Sequence, residues 1–88
     1  MVIKFLPRGW EDYLYWQQTD KAVLRRINQL IKDIQRSPFQ GIGKPEPLKH
    51  DFKDAWSRRI TDEHRLVYGI EPDALVILQC RFHYDRKN

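Results

Sequence analysis

At 88 residues the chain has the length of one domain and is too short for a deep substrate cavity, because a fold of this size buries only about 60–65% of its unfolded surface. Its 16 lysines and arginines against 12 aspartates and glutamates give a net charge of +4, which suits an anionic partner without choosing DNA or RNA. Cys80 is the one cysteine, which excludes an intrachain disulfide and a cysteine-rich metal site and fits a reducing compartment.

The opening run Met1-Val2-Ile3-Lys4-Phe5-Leu6 is too short for a signal h-region, and no apolar stretch approaches a membrane span, so a cytoplasmic protein with no membrane partner is expected. Val2 to Leu6 predicts a short strand that stops at Pro7. A helix should follow, with Trp10, Tyr13, Leu14 and Gln17 at helical spacing and Tyr15 and Trp16 widening the apolar sector. Such breadth predicts a buried helix with at least one aromatic left for a partner or for the next helix.

The second helix has the clearest pattern: Val23, Leu24, Ile27, Leu30, Ile31 and Ile34 recur at three and four, Thr19 or Asp20 can cap it, and Ser37-Pro38 ends it. Its other face carries Lys21, Arg25, Arg26, Lys32 and Arg36. A face of that kind can lie along a phosphate backbone, but more often it simply solvates an amphipathic helix.

From Ser37 to His50 the periodicity stops and Pro38, Gly41, Gly43, Pro45 and Pro47 accumulate, the mark of an ordered loop. Pro45 and Pro47 restrict the backbone around Glu46 to extended angles, which holds its carboxylate on a stiff arm. A general base needs such placement, although a single glutamate in a loop is usually just solvated.

Trp56 to Ile60 and Arg65 to Ile70 predict a β-hairpin through Thr61-Asp62-Glu63-His64. Glu71-Pro72-Asp73 is a second turn, and Leu75 to Tyr84 a last strand. Alternation puts Arg59 and Arg65 on one face if the turn register permits. In the last strand it puts Val76, Leu78, Cys80 and Phe82 against the helices and leaves Arg81 and His83 with the two arginines on the uncovered face. Tyr84 has the opposite parity. A single domain over residues 1–84 is expected, with Asp85 to Asn88 as a short solvated tail.

Elimination narrows the chemistry. His50, His64, His83 and Cys80 lack close ligand spacing, and no aspartate cluster suits magnesium, so neither a metal nor another cofactor is expected. Cys80 reads as a packed core residue and not as a nucleophile, and Gly41-Ile42-Gly43-Lys44 is too short for a phosphate loop. What remains is acid–base cleavage of RNA, which brings its own nucleophile in the ribose 2′-hydroxyl. Glu46 can serve as base, Arg65 with Arg59 or Lys49 can stabilise the phosphorane, and His83 can serve as acid. Each alone would be a surface residue; their weight lies in the combination.

These residues stand within longer matches. Trp10-Glu11-Asp12-Tyr13-Leu14-Tyr15-Trp16, Gly43-Lys44-Pro45-Glu46-Pro47-Leu48-Lys49-His50, Trp56-Ser57-Arg58-Arg59-Ile60-Thr61, Glu63-His64-Arg65-Leu66-Val67-Tyr68 and Cys80-Arg81-Phe82-His83-Tyr84 resemble, in order, the YoeB toxins of the RelE/ParE superfamily. The resemblance runs from about Trp10 to Tyr84. It implies an α+β fold with two N-terminal helices packed on one face of an antiparallel sheet, and a ribosome-dependent endoribonuclease that cuts mRNA in the ribosomal A site. Carried over by motif, Glu46 is the general base, His83 the general acid and Arg65 the phosphorane stabiliser. Lys49 and Arg59 contact phosphate, and Tyr84 orients the substrate or a base.

The resemblance further implies a YefM-like antitoxin partner, the ribosome with its rRNA and mRNA, and a homodimer. Phe82 stands where these toxins often carry tyrosine, and the chain continues past the His-Tyr pair at which the family commonly ends. Two other readings remain open: a non-catalytic toxin acting on DNA gyrase, like the ParE branch, and a plain RNA-binding module. Neither needs Glu46, Arg65 and His83 together.

Overall fold

The computed structural model describes residues 1–49 and 54–83. Strand β1 (Val2–Phe5) leads into helices α1 (Pro7–Thr19) and α2 (Lys21–Arg36), then β2 (Glu46–Pro47), β3 (Ala55–Arg59), β4 (Arg65–Glu71) and β5 (Ala74–Gln79). Pro7 fits the first turn of α1 because that position has no intrahelical partner for a missing N–H. Asp20 ends α1 and begins α2; its Oδ1 accepts from the amides of Ala22 and Val23 at 3.1 and 3.2 Å, a cap worth about 1 kcal/mol. Ser37 closes α2, where the sequence places its end.

The strands form one sheet in the order β1-β5-β4-β3-β2. Three of its four pairings are antiparallel, but β1 runs parallel to β5, with Val2 opposite Ala74 and Phe5 opposite Ile77. The expected all-antiparallel sheet is therefore a mixed one. Alternation reports which face a residue takes and says nothing of strand direction. Because two helices follow β1, no hairpin ties it to an antiparallel neighbour.

The apolar stripe of α2 closes one face of the sheet. Ile27, Leu30 and Ile34 are fully buried with Leu66, Tyr68, Leu75 and Ile77 in one cluster, each large apolar side chain contributing roughly 1.5–3 kcal/mol. Helix α1 lies close over β5 at Gly9, where a Cβ would fall 2.5 Å from the Ile77 carbonyl oxygen. Trp16 is buried in the same cluster, while Trp10 and Tyr15 keep exposed rings.

The parity expected for β5 does not hold. Leu75 and Ile77 face the helices, and Leu78 packs with Leu48, Ala55 and Val67 on the other face. The register steps from Tyr68↔Ile77 to Val67↔Gln79, so Leu78 is an inserted residue. A bulge of this kind reverses the alternation beyond it. Cys80 thereby reaches the helix side after all. The strand ends at Gln79, five residues before the expected end, and Phe82 is exposed, not core.

Candidate active site

Arg58, on the helix side of β3, holds the loop that leads to Glu46. Its guanidinium is fully buried and its Nη1 meets Asp33 Oδ2 at 2.6 Å. It also donates to the carbonyls of Ile42, Ser37 and Gln40 and to the Tyr68 hydroxyl. Such a charge is tolerable because its fork is satisfied by these acceptors. Burial raises the Tyr68 hydroxyl's pKa against the lowering effect of Arg58, so it stays a neutral donor, to the Pro38 carbonyl at 2.7 Å.

Beyond that anchor the loop is stitched to β3. The Gly43 carbonyl accepts from the Arg59 amide at 2.7 Å, and the Leu48 amide donates to the Ala55 carbonyl at 2.8 Å. Gly43 has φ of +80°, a conformation that glycine adopts without cost. Between these bonds Glu46 pairs with Ser57. The expected stiff arm is thus a two-residue edge strand, and the register sets where the Glu46 side chain goes. Paired residues share a face, so Glu46, Ser57, Val67 and Gln79 form one row across the sheet on the side away from the helices.

Arg59 and Arg65 pair directly on the same open face, as alternation expects. Their amides point away from each other, to the Gly43 and Phe82 carbonyls, which makes this the closer, non-hydrogen-bonded kind of pair. Arg59 is exposed, while Arg65 is 8% exposed. Arg65 Nη1 donates to the carbonyls of Thr61, Asp62 and His64; the turn itself is held by Thr61 Oγ1, which accepts from the amides of Glu63 and His64. Strand spacing puts the Glu46 and Arg65 backbones on the order of 10 Å apart. Both long side chains can converge on one phosphodiester across that gap. Lys49 is exposed just beyond β2.

The segment after β5 is fixed from several sides. Asp12 Oδ2 accepts the Cys80 amide at 3.0 Å and Trp16 Nε1 donates to the Cys80 carbonyl at 2.8 Å. Phe82 donates its amide to His64 Nδ1, and its carbonyl accepts from Arg65. Gln79 Nε2 donates to the carbonyl of His83 at 3.1 Å, which ties this exposed histidine to the row that contains Glu46. Arg81 is a correction: its guanidinium lies 3.6 Å over the Tyr15 ring of α1, so it does not join the arginines of the open face. The parity argument failed there because β5 ends at Gln79 and alternation does not extend to Arg81. Tyr84 lies outside the described residues.

Burial, reinforced by Asp12, pushes the Cys80 thiol up to about 12, in keeping with a core role. Among the described residues no group of three His, Cys, Asp or Glu side chains could hold a metal ion, and no helix is long and apolar enough to cross a membrane. A concavity of about 380 Å³ lined by Ile3, Phe5, Tyr13 and Ile31 lies on the helix side and not with Glu46. Sequence reading assigned no role to Arg58, Asp12, Gln79 or His64. Arg58 did carry a signal, a charge at the same parity as Trp56 and Ile60; the others had none.

Comparison with known proteins identifies the family and the fold. A family model described as "YoeB-like toxin of bacterial type II toxin-antitoxin system" matches residues 5–84. Toxin YoeB of Escherichia coli K12 is 63% identical over 84 residues, which cover 96% of this chain and all of that protein. The YoeB dimer from Staphylococcus aureus superposes with a TM-score of 0.90 at 46% identity, covering 96% of this chain and 98% of that one. The heterotetrameric YoeB-YefM complex from the same organism gives 0.88 at 46% identity with the same coverage.

Proposed function

The chain belongs to the YoeB-like toxins of bacterial type II toxin-antitoxin systems, and on that footing we propose that it is a ribosome-dependent endoribonuclease cutting mRNA in the ribosomal A site without a metal. The observation that carries the proposal is the β2–β3 register, which turns Glu46 to the face that bears Arg59 and Arg65. Glu46 takes the proton of the ribose 2′-hydroxyl, and the 2′-oxygen attacks the adjacent phosphorus. Arg65, with Arg59 and Lys49, stabilises the negative charge gathered on the phosphorane. The bond from phosphorus to the 5′-oxygen breaks as His83 protonates that oxygen. The products are a 2′,3′-cyclic phosphate and a 5′-hydroxyl. Tyr84 orients the substrate.

Ribosome dependence suits an open face. A site without walls cannot by itself hold a flexible strand in line for attack, and a large partner that fixes the mRNA supplies that orientation. A YefM-like antitoxin partner and a toxin homodimer belong to the same reading, supported by the Staphylococcus aureus complex and dimer. So does action in the cytoplasm, where translating ribosomes are.

Primer extension on cellular mRNA after brief induction tests the reading. In-frame cuts at ribosome-occupied codons are expected. Intact mRNA with a defect in DNA supercoiling would instead identify a gyrase-directed toxin, and ribosome binding without cuts a binding module.

A further inference from the structure

His64 sits in the turn between β3 and β4, its ring edge-on to Trp16 with centroids 4.7 Å apart and 5.6 Å from the Phe82 ring. Its Nδ1 accepts the Phe82 amide at 2.7 Å. An imidazole that accepts at Nδ1 carries its proton on Nε2 and is neutral. Phe82 has φ of 62°, a left-handed conformation rare for an aromatic residue and maintained only where the surroundings enforce it. The enforcement is visible on both sides of the residue. His64 takes its amide, and the amide of Arg65, the next residue along, donates to its carbonyl at 3.0 Å.

The backbone that is fixed in this way leads directly into His83. We propose that His64 is a positioning residue for His83: as a neutral acceptor it holds Phe82 in the left-handed conformation and so sets the direction in which the His83 side chain leaves the chain. Resting on the assignment of His83 as general acid, this inference adds a residue that never touches RNA. A donor displaced by about 1 Å can cost about 10²-fold in rate, so the contact matters more to the proton transfer than to binding.

Two substitutions separate the acceptor from the ring. His64→Phe keeps the contact with Trp16 and removes the acceptor; His64→Asn places an amide oxygen where Nδ1 stood. In single-turnover cleavage of ribosome-bound mRNA, His64→Phe should slow cutting by about 10–100-fold while ribosome affinity stays within about twofold, and His64→Asn should return to within about threefold of the parent. Added to His83→Ala, His64→Phe should slow cutting no further, because the two act on one step.

Nitrogen-15 NMR of the free protein should show a coupling across the Phe82 amide to His64 Nδ1. Unimpaired cutting by His64→Phe, failure of folded His64→Asn to recover, or a protonated Nδ1 without the coupling would each overturn the proposal. Parent protein that binds ribosomes and cuts nothing would overturn the nuclease reading and with it the catalytic purpose of the contact. The NMR coupling would still report whether His64 holds Phe82.

Discussion

Arg59 stands directly opposite Arg65 in the β3–β4 ladder, with the amides turned outward so that the two side chains emerge at the closest spacing an antiparallel pair allows. Like charges in that position destabilise a sheet by roughly 0.2–1 kcal/mol. An anion between them would relieve the repulsion, and in the proposed function a phosphodiester takes that place. Arg59→Thr should therefore raise Tm by about 1–8 °C, given about 4–8 °C per kcal/mol for a domain of this size, and weaken mRNA cleavage. A calorimetric scan and a cleavage assay of one preparation check both. Loss of stability together with loss of activity would mean that Arg59 serves packing.

Asp33 couples the loop to acid. Its hydrogen bond from Arg58, followed by the Ile42 amide, holds its carboxyl below the ordinary value of 3.8. A group with a lowered folded pKa binds its proton more tightly when unfolded, so its stabilisation is complete above about pH 4 and is lost as pH falls through the folded value. Urea midpoints between pH 7 and pH 2.5 should show the parent well above Asp33→Asn at neutrality and the gap narrowing below pH 4. A gap independent of pH would show that the ion pair with Arg58 contributes nothing.

Cys80 should be inert while the chain is folded. With its thiol pushed up to about 12 by burial, the thiolate fraction at pH 8 is smaller than that of an ordinary cysteine by a factor on the order of 10³. Iodoacetamide should therefore label native protein slower by about that factor than protein in urea. Equal rates would place the thiol in contact with solvent and undo the account of the segment from Cys80 to His83.

Much of this arrangement was legible in the residues. The spacing of Ile27, Leu30 and Ile34 fixed the buried face of α2, Asp20 marked its start, and alternation through Thr61–His64 put Arg59 and Arg65 together. These are local patterns with a period. Others depended on distant pairing. Nothing in Ile77-Leu78-Gln79 announces the bulge that lets Leu75, Ile77 and Cys80 share the helix side, or the strand end at Gln79 that leaves Arg81 over Tyr15. The parallel run of β1 against β5 comes from chain routing through two helices. Glu46 was correctly isolated by its flanking prolines as a residue held in an extended backbone, but only the register with Ser57 tells which way its side chain points.

The central claim, that Glu46 and His83 work as base and acid on one face of the sheet, is tested most directly by separating binding from cutting on purified ribosomes programmed with a defined mRNA. Glu46→Ala and His83→Ala should each keep ribosome affinity within about threefold and lose about 10²–10⁴-fold in single-turnover cleavage, the usual worth of a general base or acid. Parent-like cleavage by the double variant would contradict the account.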